Sequence, residues 1–69
     1  MNKYIVPYCD IQKSKVDKHI IMATSLADCR EKLMLMYEDY SDSDDWDTFK
    51  DDLNDNDILI GRITDVEEL

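Results

Sequence analysis

The hydrophobic pattern along the chain predicts two strands at its start. Residues 3–11 and 16–23 alternate between apolar and polar positions and are rich in β-branched and aromatic side chains, which is typical of strands. A polar turn at residues 12–15 separates them, so we expect an antiparallel pair. Pro7 has no N–H to donate to a neighbouring strand, and it therefore indicates a sheet edge or a bulge.

After Ala23 the apolar spacing changes to that of a helix. Ser25 is a suitable N-cap, and Asp28 three residues later resembles the acid of a capping box. The first helix is predicted over residues 26–39 because five apolar positions follow one another at intervals of three or four, namely Leu26, Cys29, Leu33, Met36 and Tyr40.

The rest of the chain predicts a second helix and a returning strand. Trp46, Phe49 and Leu53 form one stripe of a helix over residues 44–53, and residues 58–64 read as a third strand. The tail from Asp65 to Leu69 is expected to fray. The order β-β-α-α-β predicts one α+β domain over residues 1–69, with a three-stranded sheet and the helices packed on one face.

Composition and length narrow the function. The 69 residues hold 8 basic and 17 acidic side chains, a net charge of −9, which argues against direct binding to nucleic acid or anionic membranes. So short a chain has little room for an enzyme pocket, so we expect no catalysis. Apolar runs are short, no signal peptide is evident, and Cys9 and Cys29 are far apart, which predicts a soluble cytoplasmic protein with reduced thiols.

The charge is distributed very unevenly. Residues 1–37 carry six basic and four acidic side chains, whereas residues 38–69 carry two basic and thirteen acidic ones. Between Glu38 and Asp57 ten acids are interrupted by a single lysine. Such an uneven distribution of charge indicates the kind of binding partner more than it indicates the fold.

The acidic stretch does not have the spacing of a calcium loop, since frames starting at Asp42 or Asn54 place Trp46 or Ile58 where a ligand is needed. Cys9, His19 and Cys29 lack the close pairing of zinc ligands, and we expect His19 to be exposed near a strand edge. No metal or cofactor is therefore predicted.

Two interpretations of the acidic stretch stay open. It is either a solvated face, with Trp46 packed in the core, or an anionic surface for a cationic partner, with Trp46 or Tyr40 as an apolar anchor. Because the acids alternate with apolar residues, we expect an ordered surface. The candidate contacts are Tyr40, Asp42, Asp44, Asp45, Trp46, Asp47, Asp51, Asp52, Asp55 and Asp57.

In size, charge and predicted α+β pattern the chain resembles small acidic proteins that bacteriophages and other mobile elements make against host enzymes. Anti-restriction proteins, uracil-DNA glycosylase inhibitors and anti-CRISPR proteins are examples, and some act as nucleic acid mimics. The resemblance includes no residue motif. It implies an inhibitor that offers a DNA-like anionic surface to a basic nucleic-acid-binding protein in the host cytoplasm.

An alternative function is a structural or assembly module without a DNA-mimic role. It would oligomerise, for example as a homodimer, by pairing a free sheet edge. Tyr4, Val6 or Ile63 would contribute to that interface.

Overall fold

The mixed α+β class is confirmed by a computed structural model, which describes residues 1–66. The elements are β1 (Asn2–Asp10), β2 (Lys15–Ala23), α1 (Leu26–Met36), α2 (Trp46–Asp55), β3 (Ile58–Ile60) and β4 (Thr64–Asp65). The order agrees with the prediction, but the described sheet has four strands, because the predicted third strand is divided into β3 and β4. Residues 67–69 of the predicted frayed tail lie outside the described range, whereas Asp65 belongs to β4.

β1 is the central strand of this antiparallel sheet. It pairs with β2 along its whole length, with Val6 opposite His19. On its other side β3 and β4 follow one another, with Tyr8 opposite Ile60 and Tyr4 opposite Asp65. β3 and β4 pair with the side of β1 that β2 leaves open, and the outer edge of β2 is unpaired among residues 1–66.

Pro7 therefore lies in the central strand, so of the two predicted alternatives the sheet edge is excluded and a bulge is observed, in the strand that faces Pro7. Residues 61–63 lie opposite only two residues of β1, Val6 and Pro7. This excess of one residue is typical of a β-bulge in the strand that faces Pro7. The Gly61 N–H donates to the Pro7 carbonyl at 2.8 Å. In a strand the N–H and the C=O of one residue point towards the same neighbouring strand. The Pro7 nitrogen, which carries no hydrogen, therefore faces the bulged segment, where the regular hydrogen bonds between the strands are interrupted.

The hydrophobic core lies on one face of the sheet only. Phe49, Leu53 and Leu33 from the helices are fully buried against that face. The sheet contributes Tyr4, Val6, Ile21, Ala23 and Ile58. The opposite face has no covering layer among residues 1–66, and its apolar side chains Val16, Ile20, Met22 and Leu59 are exposed.

Both helices begin at a capping residue. The Ser25 hydroxyl accepts from the Asp28 N–H at 3.1 Å, as the capping-box pattern predicts. The Asp28 carboxylate accepts from the Thr24 N–H at 2.9 Å, one residue before the N-cap, so the reciprocal bond is displaced from that pattern. α1 ends three residues earlier than predicted, because the chain turns at Tyr37. α2 begins two residues later than predicted, with Asp45 as its N-cap.

Candidate binding surface

The loop between α1 and α2 holds the first acids of the surface in a defined conformation. Ser41 is buried and donates to Asp52 at 2.6 Å, and its oxygen accepts from the Ser43 N–H at 3.3 Å. The Ser43 hydroxyl in turn accepts from the Asp45 N–H at 3.1 Å. The intervening Asp42 and Asp44 are exposed. The serines thus order the backbone, while the carboxylates between them face solvent.

α2 displays a second row of carboxylates. Asp47, Asp51 and Asp55 follow at intervals of four residues and are exposed, whereas Phe49 and Leu53 are buried on the inner side of the helix. Successive members of such a row are separated by about 6 Å along the axis. Like charges at this spacing destabilise a helix, and a positive partner would relieve the repulsion.

A groove of about 540 Å³ lies between α1 and the loop. Its apolar lining comes from Ala27, Met34 and Leu35. Four carboxylates surround this lining, those of Glu31, Glu38, Asp42 and Asp44. The groove therefore matches a lysine or arginine side chain, which joins an aliphatic stem to a cationic head.

The protein's own cations leave this surface unneutralised. Among residues 1–66 the ion pairs are Lys15–Asp17 at 3.7 Å and Lys32–Asp28 at 3.4 Å. Both lie outside the acidic stretch of residues 38–57. The negative charge predicted for this half is thus available to an external partner.

Three of the predicted contact residues also have structural tasks. The Asp45 carboxylate accepts from the Thr48 backbone and hydroxyl, which lowers the pKa of Asp45. Asp52 accepts from Ser41. Asp57, at a positive φ of 62°, accepts from the Gln12 side chain at 3.2 Å and lies beside the β1–β2 turn. Substituting these three would disturb the fold as well as the surface.

The two proposed aromatic anchors differ in their surroundings. Trp46 stacks on Phe49 with ring centroids 5.3 Å apart, and the Arg30 guanidinium lies 5.2 Å from the Trp46 centroid. This packing favours the interpretation of Trp46 as a core residue. Tyr40 is 49% exposed and lies next to the Tyr37 ring, at the border of the acidic loop. Tyr40 is therefore the better placed anchor.

His19 belongs to an aromatic cluster that the sequence analysis missed. Its ring stacks on Tyr8 with centroids 4.4 Å apart, and its Nε2 lies 2.6 Å from the Tyr37 hydroxyl. Burial lowers the pKa of His19, and nearby Asp17 acts in the opposite direction. The expected exposure of His19 is wrong, because His19 shares the core-facing side of β2 with Ile21. The alternation of side chains along β2 was the feature of the sequence that could have predicted this position of His19.

The described residues contain no group of three or more His, Cys, Asp or Glu side chains that could hold a metal ion. Cys9, His19 and Cys29 accordingly do not form one site. In the same part of the chain no helix has the length and apolarity needed to cross a membrane. No known protein family, curated protein or solved structure matches the chain.

Proposed function

We propose that the protein is a non-enzymatic binding protein whose acidic surface occupies the basic site of a nucleic-acid-binding partner. The observation that carries this proposal is the ordered display of carboxylates on the loop and on α2, without neutralising ion pairs among residues 1–66. In this proposal Tyr40 supplies apolar contact. The negative electrostatic field comes from five exposed carboxylates, those of Asp42, Asp44, Asp47, Asp51 and Asp55.

Physical chemistry supports the acidic residues as a recognition surface. Surfaces that only confer solubility mix charges of both signs, whereas here one lysine accompanies ten acids over residues 38–57. A field of one sign accelerates association with an oppositely charged protein and makes the rate sensitive to salt. The groove beside Met34 adds shape and apolar contact to this field.

A basic nucleic-acid groove is the partner surface that best suits such a field. Such a groove binds the closely spaced negative charges of a nucleic acid. The acidic surface would therefore compete with phosphates for the same lysines and arginines. The protein then acts as a nucleic acid mimic in the host cytoplasm. Its small size and charge place the proposal among anti-defence proteins of phages or mobile elements, such as anti-CRISPR or anti-restriction proteins.

The test is a capture experiment followed by competition. The immobilised protein is exposed to nuclease-treated host lysate, and bound proteins are eluted with a salt gradient. We expect a basic nucleic-acid-binding protein to be retained, to elute early in salt, and to be released by duplex DNA. Retention that duplex DNA does not disturb would contradict the mimicry.

A matched pair of variants makes this test specific. Asp47→Asn/Asp51→Asn removes two exposed charges that accept no hydrogen bond among residues 1–66, and we expect binding to weaken about tenfold or more. Asp10→Asn/Asp17→Asn makes the same change of net charge on the hairpin and serves as the control. Each asparagine oxygen can still accept the backbone N–H that its carboxylate accepts, from Lys13 and Lys18 respectively. Equal loss in both variants would indicate a general charge effect and would overturn the proposed site.

A second candidate function is self-assembly, supported by the uncovered sheet face. Val16 is 79% exposed and Ile20 55% exposed on that face, and Met22 and Leu59 extend it. Tyr4 and Val6 cannot contribute to the edge interface expected from the sequence, because they are buried in the central strand, whereas Ile63 is half-buried in the connection between β3 and β4. We propose the sheet face, rather than the edge, as the surface for a second copy.

A further inference from the structure

A second cavity has the opposite electrostatic character from the acidic surface. It measures about 520 Å³ and lies between α1, α2 and the connection from β3 to β4. Three cations line it, one from each of these segments: Arg30, Lys50 and Arg62. None of the acidic side chains among residues 1–66 lines this cavity.

The helix geometry explains how the cations converge. Leu26 and Arg30 are four residues apart on α1, and Trp46 and Lys50 are four residues apart on α2, so each pair occupies one face of its helix. The bulge after β3 brings Arg62 to the same cavity. Lys50 and Arg62 are the two basic residues of the acid-rich half, and both line this cavity.

Within the described range none of these three cations makes an ion pair, although the chain is strongly acidic. The Nε of Arg30 is buried without a hydrogen-bond acceptor, while its guanidinium lies over the Trp46 ring. Like charges that line one cavity repel one another, and an anion bound among them would relieve that repulsion.

We infer that this cavity binds the phosphate group of a small organic phosphate. The three cations can surround a phosphoryl group, whose charge of about −1.5 to −2 and three acceptor oxygens suit two guanidinium forks and one ammonium. Leu26 and Ile63 provide an apolar wall for the organic part. The volume lies within the roughly 300–1,000 Å³ range of small-molecule sites.

The surrounding charge favours a small ligand over a nucleic acid. With a net charge of −9, the molecule repels a polyanion at long range, whereas a single phosphate enters a locally cationic cavity. The site is therefore distinct from the acidic surface in place, charge and ligand. It does not depend on the proposed inhibitor function.

The test uses phenyl phosphate as the probe. Trp46 is the single tryptophan of the chain and lines the cavity, so its fluorescence reports on occupancy directly. We expect saturable binding by fluorescence and by calorimetry, with phenol not binding and a duplex oligonucleotide not competing. Absence of saturation up to about 10 mM phenyl phosphate would overturn the inference. Competition by the duplex would show a nucleic acid site instead.

Variants of exposed cations assign the binding to this cavity. Arg62→Gln and Lys50→Gln should each weaken binding about tenfold or more, because a hydrogen bond to a charged group is lost. Lys13→Gln makes the same charge change in the β1–β2 turn and should leave affinity unchanged. Circular dichroism verifies that each variant is folded. Unchanged affinity in both cavity variants, or equal weakening in Lys13→Gln, would overturn the assignment.

Discussion

At the residue scale, the pair His19 and Tyr37 joins β2 to the end of α1. Their contact of 2.6 Å is shorter than an average hydrogen bond between neutral groups. Burial acts on both partners, since it lowers the pKa of His19 and raises the pKa of Tyr37. Both groups are therefore held in their neutral forms near pH 7, and the His19 tautomer decides which of the two donates the hydrogen bond.

This pair predicts a pH dependence of stability. Because the pKa of His19 in the folded protein lies below its ordinary value of 6.5, the unfolded chain takes up a proton first as the pH falls. The contribution of His19 is therefore present above pH 6.5 and is lost progressively below it. Urea unfolding between about pH 7.5 and 5.5, where carboxylates titrate little, should show a falling free energy of unfolding.

His19→Phe is the matching variant, since phenylalanine retains an aromatic ring but does not titrate. Its free energy of unfolding should depend less on pH over the same interval. The same slope in both proteins would show that another group causes the dependence. Trp46 fluorescence reports unfolding in both the wild-type protein and His19→Phe, because Trp46 is present in both.

At the scale of elements, the bulge at residues 61–63 determines the shape of one sheet edge. Regular pairing with β1 stops after Ile60 and resumes at Thr64, with the Gly61–Pro7 hydrogen bond in between, so Arg62 and Ile63 can line the cationic cavity. A side chain at position 61 has no room, because its Cβ would lie 2.8 Å from the Pro7 Cγ. The Pro7 ring therefore requires a glycine at position 61.

Gly61→Ala should destabilise the protein by about 1–3 kcal/mol, as overpacking of a well-fitted contact does. The cause is steric, since Gly61 does not have a positive φ. In a Pro7→Ala background the Cγ is absent, and the cost of Gly61→Ala should become smaller. A double-mutant cycle measured by urea unfolding tests this coupling. Additive effects would show that the Pro7 ring is not the obstacle.

At the scale of the whole molecule, the two faces differ in chemistry. The proposed acidic surface lies on α2 and the loop before it, whereas the far face of the sheet is apolar with Lys3 and Lys18 among its residues. Face-to-face packing of two copies keeps their acidic surfaces far apart.

Self-association through this face is testable by light scattering over a range of protein concentrations. We expect a dimer that persists at high salt, since apolar contact drives it, and Ile20→Lys should give a monomer. Leu35→Lys alters an apolar residue that is 63% exposed on α1 and should leave the dimer intact. A monomeric wild-type protein at high concentration would eliminate this candidate function.

The sequence by itself determined the local elements and the location of the charge. Alternation in residues 3–11 and 16–23, the helical spacing from Leu26, and the Ser25 cap are properties of neighbouring residues, and the structure confirms them. The acids of residues 38–57 are exposed or half-buried, as their charge requires.

Only the tertiary structure decided which elements are neighbours. The central place of β1 and the bulge opposite Pro7 depend on contacts between residues far apart in sequence. The same holds for the cavity that joins Arg30, Lys50 and Arg62. Periodicity describes one element at a time. Strand order and side-chain convergence result from how whole elements pack, which no local pattern contains.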